Sequence, residues 1–319
     1  MKAIAWSAYG KPSVLNCIEL EKPTPKNNEI LVKVFVSSVT TGDARLRSLN
    51  VPSGMGFLTR LAFGIKKPRK LIPGMEFSGE VVSVGDTVTQ FKIGDRVFGT
   101  TGMNMGAHAE YTCINENHAV VKIPDNLSYK NAVSLMFGGL TAIHFLRNKV
   151  GIKKDDKVLI NGASSAVGTA AIQLAKYYGA EVTGVCSESS FSLVTSLGAD
   201  GTIDYTQEDF TQKQNTYDVI LDTVGNVSFT QCQQSLTPSG KAILINTGMG
   251  TILHSLFNSH LVCGVADENK ESLNFLIELY NAKKLIPVID KTYPLEKIVD
   301  AHTYVDKRHK KGNVLLTIA

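Results

Sequence analysis

The chain predicts an α/β protein of two units, a compact β domain followed by a parallel sheet covered by helices on both faces. Three observations carry that prediction. The first 125 residues break into short runs rich in Val, Ile, Phe and Tyr. Beyond Pro124 such runs alternate with helix-like stretches. One alternation, "KVLINGASSAVGTAAIQLAKYYGAEVTGVC" (157–186), reads strand, glycine-containing turn, helix, strand. At 319 residues, 43% hydrophobic and 19% charged, the chain has the length for two domains and the apolar content for sizeable cores.

Taken in order, "KAIAW", "EILVKVFVSSV", "FSGEVVSVG", "DRVFGTT" and "HAEYTCI" are the strand candidates of the β domain. Gly, Pro, Asn and Asp separate them, and Gly85-Asp86 and Gly94-Asp95 mark turns. "LSYKNAVSLMFGGLTAIHFLRNK" is helix-like, although Gly138-Gly139 should interrupt it, each glycine costing about 1 kcal/mol inside a helix. A break there has a packing reason or a functional one. "KVLIN", "EVTGVC", "GTIDY", "YDVILDTV", "KAILIN" and "HLVCGV" follow as strands, with "AVGTAAIQLAKYYG" and "SFSLVTSLG" as helices between the earlier ones. Near-continuous apolar strands alternating with helices mean a parallel sheet buried on both faces, and six strands match a dinucleotide-binding sheet. "ENKESLNFLIELYNAKK" is a strong helix, and the last strand, "NVLLTI", has no place in the six and is expected to return to the first domain.

Composition excludes several classes. The formal charge is +4, with denser patches at Lys66, Lys67, Arg69, Lys70 and at Lys307, Arg308, Lys310, Lys311. These read as solvated faces or as sites for an anionic group, not as the basic face that nucleic acid needs. The five cysteines, Cys17, Cys113, Cys186, Cys232 and Cys263, are scattered and form no C-x-x-C, which fits a reducing, cytoplasmic setting and argues against a zinc knuckle. No apolar signal region opens the chain, and the longest uncharged run, 158–175, is too polar for a span, so no membrane is expected.

The turn in 157–186 departs from G-x-G-x-x-G. Its window reads Ala163-x-Ser165-x-x-Gly168. Gly168 keeps the close helix–strand packing, Gly162 is free to take a positive φ one residue early, and small Ala163 and Ser165 still allow backbone approach. Ser164, Ser165, Ala166 and Val167 then stand at a helix N-terminus, where an anion is favoured. The second strand ends on Cys186-Ser187, neutral where an NAD enzyme often has an acid, which favours a 2′-phosphate and hence NADP. Glu188 argues back, and no Lys or Arg lies between Val182 and Gly201. A phosphate there would rely on Ser187, Ser189, Ser190 and a residue from elsewhere, with Tyr205 one candidate.

"KPTPKNNEILVKV", "PGMEFSGEVVSVGDTVTQFKIGDRVFG", "FGGLTAIHFL", "INGASSAVGTAAIQLAKYYGAEVTGVCS", "SLGADGTIDY", "YDVILDTVG" and "HKKGNVLLTI", in this order, resemble the medium-chain dehydrogenase/reductase superfamily, and most of all its zinc-free quinone-oxidoreductase-like branch. The resemblance covers essentially the whole chain. It implies a GroES-like β-barrel catalytic domain (1–125 and 268–319), a Rossmann domain (126–267) with a doubly wound six-stranded parallel sheet, and a cleft between them for nicotinamide and substrate. It also implies a homodimer, with "HLVCGV" as the candidate edge strand.

The positions matching the zinc ligands of the alcohol-dehydrogenase branch are Thr40, Met75 and Phe137, none of them a good Zn²⁺ donor. Glu76 survives from the family's G-H-E, and only Cys113 lies where a structural-zinc lobe needs four cysteines. No metal is expected. Without a Lewis acid the easier task is hydride delivery from NADPH to an activated acceptor, a quinone or an α,β-unsaturated carbonyl, whose product anion needs hydrogen-bond donors and a proton source. The resemblance places Thr40 and Thr141 by the nicotinamide and substrate, and Arg45 is a third catalytic candidate on the next turn. Arg45 and Arg47 face either the cleft or solvent, and Asp43 reads as a helix N-cap. Val224, Thr247 and Asn313 lie along the cofactor. "NVPSGMGFLTRLAFGIKKPRK" is a cover over a hydrophobic substrate or packs on its own domain. A zinc-free alcohol or aldehyde oxidoreductase, and a non-catalytic, crystallin-like nucleotide binder, remain the alternatives.

Overall fold

A computed structural model of the chain describes residues 1–318. Strands β1 (Lys2–Trp6) and β2 (Leu15–Glu19) pair as an antiparallel ribbon. β3 (Glu29–Ser38), β4 (Glu76–Val84), β5 (Arg96–Thr100), β6 (Tyr111–Asn115) and β7 (Val120–Lys122) build the antiparallel body of the first domain. Helices α1 (Thr41–Ser48) and α2 (Gly56–Phe63) interrupt it between β3 and β4. Ile30, Val32, Val34, Phe77 and Val97 alternate inward from these strands into one apolar cluster.

The second domain carries β8 (Lys157–Asn161), β9 (Glu181–Cys186), β10 (Gly201–Asp204), β11 (Tyr217–Asp222), β12 (Leu236–Leu244) and β13 (Leu261–Val262). All pair in parallel, in the order β10-β9-β8-β11-β12-β13. Strand order therefore reverses between β8 and β11, and a doubly wound sheet opens its ligand crevice at the carboxyl ends of the strands at that point. β14 (Ile289–Pro294) and β15 (Asn313–Thr317) return to the first sheet, β15 antiparallel to β3. "HLVCGV" contributes only the two residues of β13.

The double glycine does not break its helix. α3 (Tyr129–Ala142) runs straight through Gly138-Gly139 and continues in wider π turns over Ile143–Val150. A Cβ on Gly138 would sit inside contact distance of the Ala166 carbonyl oxygen, and one on Gly139 would collide with Leu276. The reason for the pair is thus packing. α3 crosses the start of α4 (Ala166–Tyr177) on one side and α8 (Lys270–Asn281) on the other at backbone distance. Leu135, Met136, Leu140, Ile143 and Phe145 join Leu174, Leu273 and Leu276 in the largest core cluster, each such side chain contributing about 1.5–3 kcal/mol on burial. The helices α5 (Phe191–Ser196), α6 (Phe229–Ser235) and α7 (Met249–Ser255) belong to the second domain, while α9 (Ile298–Asp306) packs in the first, against β1, α1 and β15.

Candidate active site

The turn after β8 keeps the geometry of a phosphate-binding turn with fewer glycines. Gly162 takes φ +81°, and a Cβ there would strike the Thr223 hydroxyl. Gly168 packs against the Gly162 carbonyl with no room for a Cβ, which is the helix–strand contact its position requires. Ser165 is the N-cap of α4: its Oγ accepts from Gly168 N at 3.0 Å and lies 3.2 Å from Thr223 Oγ1. Ser164 is half-buried, and its carbonyl accepts from Gly312 N at 2.8 Å, so the C-terminal segment braces the turn through its backbone. Residues 165–167 face the crevice at the positive end of a twelve-residue helix.

At the far end of the nucleotide path, Ser187 Oγ stands 3.1 Å from Ser189 Oγ, and Lys311 Nζ donates to Ser189 O at 2.5 Å. The cation missing between Val182 and Gly201 is therefore supplied from more than a hundred residues downstream. Tyr205 follows β10 directly, exposed, beside the register pair Asp204 and Cys186.

Between the two sheets lies a cavity of about 360 Å³. Arg45, Met75 and Glu76 come from the first domain, Phe137 and Thr141 from α3, and Ser165, Thr223 and Asn246 from the second, with Lys310 from the returning tail. Thr141 Oγ1 donates to Phe137 O at 2.6 Å, so its lone pairs are what it offers the cavity. Arg45 reaches across the cleft to Asn246 Oδ1, while Asn246 Nδ2 donates to Thr223 O at 2.6 Å. Arg45 Nε is buried without a partner, and burial, with Arg308 nearby, disfavours its cation. Such a donor seeks an oxygen. Burial pushes the Glu76 carboxyl well above the usual range, against a hydrogen bond from the Ser38 hydroxyl that favours the charged form. Burial pulls the Lys310 ammonium down to about 8. Asp222, at the end of β11, accepts from Val224 N at 3.0 Å, Gly225 N and Asn161 Nδ2, which fixes the turn that carries Val224. Val224 and Thr247 line a shallower hollow beside the cavity that shares Arg45 and Asn246 with it.

Several expected residues lie elsewhere. Thr40 is buried as the N-cap of α1: its hydroxyl donates to Asp43 Oδ2 at 2.6 Å and accepts from Asp43 N at 3.0 Å. That capping box satisfies the hydroxyl, and Thr41 lines the cavity in its place. Asp43 is accordingly the third helical residue of the box and not the N-cap. Arg47 faces neither cleft nor solvent; it is buried against Asp306, His302 and Gly10 O. Asn313 is buried with its amide donating to Ser134 O and Val288 O, both at 3.0 Å, because a buried amide must find partners and these are nearest. Its neighbour Gly312 meets the turn instead. Glu76, Glu268 and Lys310 are the ionisable cavity groups that sequence reasoning did not assign to the site. Glu76 was legible only as a remnant of a metal motif, and Lys310 only as one cation in a run.

Met75, Phe137 and the Thr40 hydroxyl converge: all three lie within 4 Å of where a Cβ on Gly42 would stand. The positions equated with zinc ligands are therefore together in space, but they offer a thioether, a phenyl ring and a hydroxyl committed to a cap. That donor set does not fit Zn²⁺, which takes thiolate, imidazole or carboxylate.

Comparison with known proteins agrees with this architecture. Residues 26–125 match the family model for the alcohol dehydrogenase GroES-like domain, and residues 197–316 match that for zinc-binding dehydrogenase. The chain is 30% identical to the chloroplast envelope quinone oxidoreductase homolog of Arabidopsis thaliana, over 99% of this chain and 98% of that protein. It superposes on the quinone oxidoreductase of Coxiella burnetii with a TM-score of 0.90 at 30% identity, covering 100% of this chain and 99% of that one. It superposes on Escherichia coli quinone oxidoreductase complexed with NADPH with a TM-score of 0.84 at 25% identity, covering 99% and 100%.

Proposed function

Because the chain belongs to the medium-chain dehydrogenase/reductase superfamily, in its quinone-oxidoreductase-like branch, we propose that it delivers hydride from NADPH to a quinone or an α,β-unsaturated carbonyl without a metal. One observation carries the reading: a single cavity joins a nucleotide-type turn to Met75 and Phe137, two of the three would-be ligand positions, with Thr40 close beside them, and none of the three is a zinc donor. Residues 165–167 would hold the diphosphate of a nicotinamide nucleotide, which would supply the hydride when bound. Thr141, its own proton committed to Phe137 O, presents an acceptor to an amide N–H. Arg45, held by Asn246, presents donors where negative charge develops on the acceptor oxygen. Lys310 completes the reduction by giving a proton, since an acid of pKa about 8 is matched to neutral pH. Burial of Glu76 disfavours a carboxylate charge there, which would repel the product anion.

NADPH over NADH is supported by the neutral Ser187 and by Lys311 beside it. The same reading includes the division 1–125 with 268–319 against 126–267, a homodimer through the β13 edge, and a cytosolic setting that five separated free cysteines favour.

The test is NADPH consumption with a panel of quinones, enones and aldehydes, before and after chelator. Turnover of quinones or enones, insensitive to chelator, is expected. Nucleotide binding with no turnover on any acceptor would leave a non-catalytic binder. Chelator-sensitive alcohol oxidation would overturn the metal-free reading.

A further inference from the structure

The stretch 50–70 was expected to cover a hydrophobic substrate or to pack on its own domain. It does neither. None of its residues lines the cavity, and no residue of α2 is buried. Phe57 is 75% exposed, Ile65 60%, Leu61 50% and Leu71 49%. The cations Arg60, Lys66, Lys67, Arg69 and Lys70 are interleaved with them, all exposed, and none forms an ion pair among the described residues. No Asp or Glu occurs from residue 44 to residue 75.

The segment is nonetheless held in shape. Trp6 Nε1 donates to Lys70 O at 2.6 Å, Trp6 N to Leu71 O at 3.1 Å, and Tyr9 Oη to Gly64 O at 2.8 Å. Phe63 packs partly into the core beneath. These ties fix the backbone and leave most of the apolar and basic side chains outward, Arg60 alone turning back to donate to Ile65 O at 2.6 Å. Ser53 O accepts from Met249 N at 3.0 Å, so the segment begins at the rim where the two domains meet.

We propose that this face docks reversibly on an anionic lipid bilayer. Aromatic and aliphatic side chains among lysines and arginines on one short, preformed element match a bilayer interface, whose acyl boundary takes Phe57 and Leu61 and whose phosphates take the cations. Nucleic acid would meet the cations but offers no apolar phase for those side chains. A second copy of the chain would bring five more cations against these five, and like charges repel. The expectation of no membrane came from hydropathy along the chain, which detects spans and not surfaces. Among the described residues no helix is long and apolar enough to cross a membrane, and peripheral docking needs none.

The experiment is flotation of the whole chain with vesicles of phosphatidylcholine alone and of phosphatidylcholine mixed with phosphatidylserine, at low and high salt. Flotation is expected with the mixed vesicles only, falling as salt rises. The double variant Lys66→Glu/Lys67→Glu should lower partitioning at least 25-fold, from about fivefold per basic residue lost. Phe57→Ser/Leu61→Ser should lower it as well, while Ile93→Ser, equally exposed on a barrel turn, leaves it unchanged. All these side chains are exposed, and matching thermal melts would show that the variants are folded. Absence of flotation, equal flotation on both vesicle types, or wild-type flotation of both double variants overturns the proposal. So does a concentration-dependent dimer that Phe57→Ser/Leu61→Ser dissolves, which would give the face to a second copy.

Discussion

Replacing Lys311 by Ala should convert cofactor preference while sparing the fold. Its ammonium is anchored on Ser189 O, beside the Ser187 and Ser189 hydroxyls that end the nucleotide path. A phosphate seated on those hydroxyls would lie about 5 Å from Nζ. At that distance one ammonium and a phosphate of charge about −2 attract by about 3 kcal/mol at an effective dielectric of about 40. Salt screening, with the lysine half-exposed, reduces the net effect to about 1.5 kcal/mol, a factor of about ten. Steady-state kcat/KM for NADPH should therefore fall about tenfold, through KM, while the value for NADH stays unchanged. Lys311→Glu should fall further for NADPH alone. An equal loss for both cofactors, or an unchanged ratio, would refute the assignment of Lys311 to the 2′-phosphate.

Three other outcomes follow from the same geometry. Gly138→Ala should destabilise the protein by about 1–3 kcal/mol in urea melts and raise the KM for NADPH, because the new methyl displaces the Ala166 backbone at the start of α4; an unchanged midpoint would show that the crossing has slack. Lys310→Met should lower kcat by about 10²–10⁴ and remove the loss of rate expected as pH rises through about 8, where the ammonium deprotonates; persistence of that limb in the variant would assign the proton to another group. His108 and His302 are buried neutral, each with one nitrogen bonded and the other without a partner, and burial holds both below the ordinary imidazole range. Their contribution is complete above pH about 6.5 and is lost as pH falls below it, by up to about 1.4 kcal/mol per pH unit for each histidine, so urea melts should show a shallower acid slope for His302→Gln than for wild type, and equal slopes would discount the pair.

Much of the nucleotide turn could be read in the sequence because its physics is local. Gly162, Ser165 and Gly168 act within one strand–turn–helix, and their roles follow from φ, capping and Cβ clearance along consecutive residues. The acceptor side was much less legible. Thr40 was expected at the substrate, yet a four-residue capping box, Thr40 to Asp43, satisfies its hydroxyl. Asn313 was expected at the cofactor, yet burial turns its amide to two carbonyls. Lys310 and Lys311 are adjacent in sequence, but one enters the cavity and the other the far end of the nucleotide path. No periodicity in a run of four cations distinguishes them.

The sequence by itself determined the two-domain α/β plan, the order of strands and helices, and the place where a dinucleotide turn stands, because apolar spacing and turn chemistry act over a few residues. Tertiary structure alone decided which groups meet: Arg45 with Asn246 and Glu76 with Lys310 in the cavity, and Lys311 with Ser189 beyond it. Each of those pairs is brought together by strands and helices more than a hundred residues apart, and its burial and charge state arise only once both domains have closed on the same cleft.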